Sequence, residues 1–145
     1  MISLLSTTPY VISSFTTLAT NIFTQLSKLN SASSHIDEVQ TLLQELDLTH
    51  RIEIIESFLN EIGSTPLTSV QNAIKSVVDV AQQLESLLES INAKVSTHQH
   101  LWVPWLWSLN LHDDLLSLKR LDSRLQKRMN LLFQMLNVFS DDLQQ

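Results

Sequence analysis

At 145 residues the chain is long enough for one domain with a real core, and with a single glycine and three prolines it has few places where a strand-and-turn fold could bend. The absence of cysteine excludes disulfides, thiol catalysis and thiolate metal sites. A formal net charge of −6 argues against general nucleic-acid binding and weakens simple attraction to anionic lipid.

No run of about 20 apolar residues suggests an ordinary transmembrane helix, and no Lys or Arg precedes the apolar N-terminal residues as a signal peptide would require. Apolar periodicity then predicts four helices. The first spans about residues 9–30, with Thr8 as cap and Pro9 at the first helical position. Val11, Phe15, Leu18, Ile22, Leu26 and Leu29 form its stripe, widened by Ile12, Ala19 and Phe23. Its opposite face carries Ser13, Ser14, Thr16, Thr17, Thr20, Asn21 and Thr24, with no charge before Lys28. Such a face suits the outside of a core helix. It also suits an interfacial helix that can enter a bilayer, because an uncharged polar face is cheaper to desolvate.

The second helix is expected over residues 35–62, capped by Ser34 and with Asp37 and Glu38 in its first turn, where negative charge suits the dipole. Its stripe, Ile36, Val39, Leu43 and Leu46, slips in phase near Asp47 to Thr49 before resuming as Leu48, Ile52, Ile55, Leu59 and Ile62; a kink or re-registering is expected there, unless a wide stripe including Leu42 absorbs the slip. Gly63 stands where a left-handed C-cap belongs, and Thr65 and Pro66 restart the chain. The third helix, residues 66–97, carries the most regular stripe. Leu67, Val70, Ile74, Val77, Ala81, Leu84, Leu88, Ile91 and Val95 alternate spacings of three and four without a miss, as in a bundle or coiled coil. A striped helix of that length is not stable alone in water, so the other segments must cover it.

Leu101 to Leu109 then holds all three tryptophans, Trp102, Trp105 and Trp107, around the helix-breaking Pro104. These rings can plug the end of the bundle, or form a membrane-interface anchor or partner patch. The last helix, residues 111–139, opens with Asn110 and Asp113 as cap and carries Leu111, Leu115, Leu118, Leu125, Met129, Leu132, Leu136 and Phe139, with Asp122 in one seam position. Lys119, Arg120, Arg124, Lys127 and Arg128 make its outer side basic: a solvated face partly paired with Asp113, Asp114 and Asp122, or a contact for lipid headgroups or an acidic partner. Residues beyond Phe139 read as a frayed acidic tail. Short connections between four helices imply a single all-α domain over residues 1–145, an up-down antiparallel four-helix bundle.

Chemistry is sparse. One glycine cannot build a nucleotide loop, and no pair of Glu-x-x-His motifs is present for a di-iron site. His35 with Glu38, and Asp47 with His50, have metal-compatible spacing but read as surface pairs; His98 and His100 read as a solvated loop. No motif singles out a nucleophile and base. The expectation is a non-enzyme with no cofactor and no metal.

Several stretches carry a resemblance. An uncharged apolar first helix, Tyr10 to Leu29, precedes Ser34-His35-Ile36-Asp37-Glu38-Val39 and Leu42-Leu43-Gln44-Glu45-Leu46, and the last helix runs Leu118-Lys119-Arg120-Leu121 through Leu125, Met129-Asn130-Leu131-Leu132 and Met135-Leu136. This resembles the HeLo-like and MLKL-type N-terminal bundles of cell-death executioners and fungal immune receptors. The resemblance implies a self-associating module in cell-death or immune signalling that engages membrane through its first helix when that helix is released. Phe15, Ile22, Phe23, Trp102, Trp105, Trp107, Arg120, Arg124 and Lys127 would then contact membrane or partner. Its location would be cytoplasmic and peripheral to membrane, and the chain would be either an excised domain or a small stand-alone protein. The alternative is a protein–protein interaction or oligomerisation module (viral, effector or adaptor) with no membrane activity, binding a second copy or a helical partner; a small-ligand carrier is a remote third.

Overall fold

The computed structural model describes the backbone of residues 2–62, 67–99 and 109–144, and the side-chain surroundings of 15–62, 67–99 and 109–138. The described residues form five α-helices: α1 (Ile2–Ala32), α2 (Asp37–Leu46), α3 (Leu48–Ile62), α4 (Thr68–Gln99) and α5 (His112–Gln144). Collinear in sequence, α2 and α3 act as the two halves of one rod, so the architecture is an all-α bundle of four rods. The apolar stripes meet in one contiguous core that includes Phe15, Ile22 and Leu29 of α1, Ile52 and Leu59 of α3, Leu84 and Leu88 of α4, and Leu118 and Leu125 of α5.

The rod breaks where the stripe changes phase. Asp47 takes a left-handed conformation (φ 48°, ψ 47°) and donates its backbone N–H to the Leu43 carbonyl. Aspartate is one of the few residues that visits this region. Its use here resets the face so that Leu48 enters the core together with Ile52 and Ile55.

Several local expectations are corrected. Pro9 does not open α1: the helix begins at Ile2, so the ring sits well inside it and removes one interior N–H from the ladder. Ser34 does not cap α2. Ile36 holds the cap position with no side-chain bond, while Ser34 lies exposed in the preceding turn and the N–H of Ile36 is taken by the Ser33 carbonyl at 2.8 Å. Buried Ser33 organises this corner, its hydroxyl donating to the Leu29 carbonyl and accepting from Gln40 Nε2 at 3.2 Å. Leu67 stands just before α4 and is 37% exposed, so the seam starts at Val70. The tail beyond Phe139 is helical through Gln144, since no proline or glycine there stops α5. Asn110 caps as expected, its Oδ1 accepting from the His112 N–H at 3.1 Å, without Asp113. The expected roles of Gly63, Thr65 and Pro66 lie outside the described residues.

Consecutive rods alternate in direction, but the closest pairs include parallel ones. α4 packs mainly on α1 and α5. Asn92 Nδ2 donates to the Gln25 carbonyl at 2.9 Å, and Gln99 Nε2 to the Ala32 carbonyl at 2.7 Å. These bonds join α1 and α4 at two heights in the same order, so the two helices run parallel. α5 runs antiparallel to α4, tied by Lys94–Asp114 at 2.7 Å, Arg124–Gln83 at 3.2 Å and Arg128 to the Ser76 carbonyl at 2.8 Å. α3 and α5 are parallel again, fixed by the Arg51–Asp122 ion pair and by Phe58 edge-on to Phe133 with centroids 4.6 Å apart. The order around the bundle is therefore α1, α4, α5 and the α2–α3 rod.

Candidate interaction surface

Over residues 15–32 the first helix commits its apolar stripe to the core. Phe15 is 1% exposed and Ile22 is fully buried, while Phe23 is half-buried at the edge of the core. Contact of Phe15 or Ile22 with lipid or a partner therefore requires α1 to leave the bundle. On the outer face Thr16, Thr17, Thr20, Asn21 and Thr24 are exposed. The hydroxyls of Thr20 and Thr24 donate to the carbonyls of Thr16 and Thr20, each at 3.0 Å, so this face satisfies part of its own polarity.

Between α1 and α4 lies an open groove of about 790 Å³, lined by Gln25, Lys28, Ser31, Glu89, Asn92 and Ser96 among others. It is polar, and Asn92 crosses it to Gln25. Farther along the same helix pair, burial and then the neighbouring Glu89 push the Glu85 carboxyl above its ordinary range, against a hydrogen bond from Asn21 that lowers it. Among the described residues no group of three His, Cys, Asp or Glu stands close enough to hold a metal. Glu38 of α2 approaches His112 of the neighbouring α5 at 4.0 Å, both side chains well exposed. Among those residues no helix is long and apolar enough to cross a membrane. Trp102, Trp105, Trp107 and His100 lie outside the described residues.

The basic stripe of α5 is exposed at Lys119, Arg120, Arg124 and Lys127. Its expected carboxylate partners face elsewhere. Asp114 pairs with Lys94, and Asp122, buried at 7% exposure, pairs with Arg51 of α3. Arg124 and Arg128 lean toward α4 instead, leaving Lys119, Arg120 and Lys127 without an ion pair among the described residues.

Periodicity missed a further feature, large apolar side chains left outside the core. Leu116, Leu131 and Val138 are 38%, 50% and 58% exposed on the outer side of α5, and Ile54 is 48% exposed on α3. The signal was present in the doublets Ile54-Ile55, Leu115-Leu116 and Leu131-Leu132: adjacent helical residues point about 100° apart, so one of each pair must face outward. Beside Ile54 and Phe58, a shallow pocket of about 370 Å³ is lined by His50, Glu53, Ser57 and Glu61. The α2–α3 rod is strongly acidic, with Asp37, Glu38, Glu45, Asp47, Glu53, Glu56 and Glu61 against Arg51 alone. Two neighbouring rods thus expose faces of opposite charge, each set with apolar side chains.

No family model, curated protein or solved structure matches the chain.

Proposed function

We propose that this chain is a non-enzymatic helical module that works by protein–protein association, chiefly self-association, through the outside of the assembled bundle. The carrying observation is the outer face of α5, where Leu116, Leu131 and Val138 are exposed among Arg120, Arg124 and Lys127. Apolar side chains gathered on one helix face and ringed by charge suit a docking patch. Such a module fits the interaction or oligomerisation reading, and also the self-association implied by the HeLo-like resemblance.

A second reading, membrane engagement by a released first helix, rests on the uncharged outer face of α1 before Lys28. It asks more of the molecule, because Phe15, Ala19, Ile22 and Leu29 must exchange core contacts for lipid. Sedimentation equilibrium and liposome leakage separate the two. The first reading predicts a concentration-dependent oligomer, shifted toward monomer by Leu131→Asp, and no leakage. A monomer at every concentration, with leakage abolished by Thr17→Lys or Thr24→Lys on the outer face of α1, overturns it in favour of the second.

A further inference from the structure

Leu131 and Val138 are the two most exposed large apolar side chains among the described residues. Their spacing puts them on one side of α5, two turns and roughly 10 Å apart at 1.5 Å per residue. That side is turned away from the buried Leu118 and Leu125, so no other helix of the bundle covers it. Lys127 stands one turn before Leu131 on the same side, exposed and without an ion pair among the described residues. Charge is mainly positive from Lys119 to Arg128 and absent from Met129 to Val138. The helix then continues to Gln144, and this last stretch holds Asp141 and Asp142. A helix that is basic before an apolar pair and acidic after it is its own complement when turned end for end.

We propose that two copies of this chain form a symmetric dimer in which the C-terminal half of α5 lies antiparallel against the same half of α5 in the other copy. The two-fold axis is perpendicular to the plane of the two helices and passes between them, level with the midpoint of Gln134 and Met135. Each Leu131 then lies opposite Val138 of the other copy, and position 142 comes level with Lys127. The axis repeats both pairings, as an isologous contact requires. A parallel arrangement, with the axis along the helices, would instead set Arg120, Arg124 and Lys127 against their own copies, and like charges so placed oppose association. In the antiparallel register Arg120 passes beyond the end of the facing helix and meets no cation. Because the contact face points away from the core, each bundle lies behind its own α5 and the two do not collide. Charge complementarity selects a second copy as the occupant, since one helix carries both halves of the match.

This inference rests on reading the chain as self-associating, and the test separates the two. The chain has no cysteine, so an introduced thiol reports only on what lies opposite it. Gln134→Cys, beside the axis, should give a disulfide-linked dimer on mild oxidation. Leu131→Cys and Val138→Cys should link to each other when mixed, while neither links to itself, because like positions are then two turns apart and beyond disulfide reach. In sedimentation velocity Lys127→Glu should dimerise about ten-fold more weakly than the wild type, and adding Asp142→Lys to the same chain should recover wild-type association. Circular dichroism and melting confirm that each variant folds. A wild-type dimer in which Leu131→Cys or Val138→Cys links to itself, Gln134→Cys fails to link, or the double charge swap stays weak overturns this docking and leaves self-association standing. A wild type that is monomeric throughout a concentration series overturns both.

Discussion

Glu85 shows how one side chain can record its neighbours. Its carboxyl is partly withdrawn from water and sits near Glu89, so it holds its proton more tightly than an unfolded glutamate would. A carboxyl raised in the folded state favours folding fully below the ordinary value of 4.5, and that contribution is lost as pH rises through the raised value. Glu85→Gln keeps the shape and removes the charge. It should therefore raise the melting temperature at pH 7 and leave it unchanged near pH 4; a gain of equal size at both pH values would show that charge is not the cause. This environment was invisible in sequence. Glu85 and Glu89 are visibly four residues apart, but nothing in the string sets Asn21 of another helix against them. The same holds for Asp122, whose place in the apolar seam was plain while its partner Arg51, 71 residues away, was not.

At the scale of elements, periodicity was the reliable guide. The three-and-four spacing on α4 located its buried seam from Val70 to Val95, because a helix that must bury one face can do so only with a continuous stripe. The phase slip at Asp47 was legible too, but a wide stripe including Leu42 could have absorbed it, and the left-handed backbone of Asp47 shows that the rod breaks instead. Local start signals misled. Thr8-Pro9 and Ser34 look like caps, but a cap contributes only about 0.5–2 kcal/mol. Favourable helix ahead of Pro9 and the Ser33 corner ahead of α2 outweighed them. The break at Asp47 makes a sharp prediction. Valine at φ 48° places its branched Cβ against the backbone, so Asp47→Val should cost about 1–2 kcal/mol in urea unfolding. Asp47→Gly, free of that clash, should remain within a few tenths of the wild type. Equal losses in both variants would mean that the aspartate side chain, and not the backbone angle, sets the break.

For the whole molecule, the question is which parts stay inside and which meet a partner. The uncharged outer face of α1 is exposed in the bundle, while the apolar stripe that would have to meet lipid is core surface, with Phe15 and Ile22 buried. The described large apolar side chains that stay exposed at 48% or more, Ile54, Leu131 and Val138, belong to α3 and α5. Sequence reading found the basic stripe of α5 and passed over the acidic character of the α2–α3 rod, because the two become neighbours only once the helices are assembled. Hydrogen exchange of the wild-type chain across a dilution series tests the account most directly. The account predicts that α1 amides over residues 15–32 exchange as slowly as those of α4 at every concentration, while residues 116–138 of α5 gain protection as concentration rises. Exchange of α1 ahead of α4, with no concentration-dependent protection in α5, would contradict it.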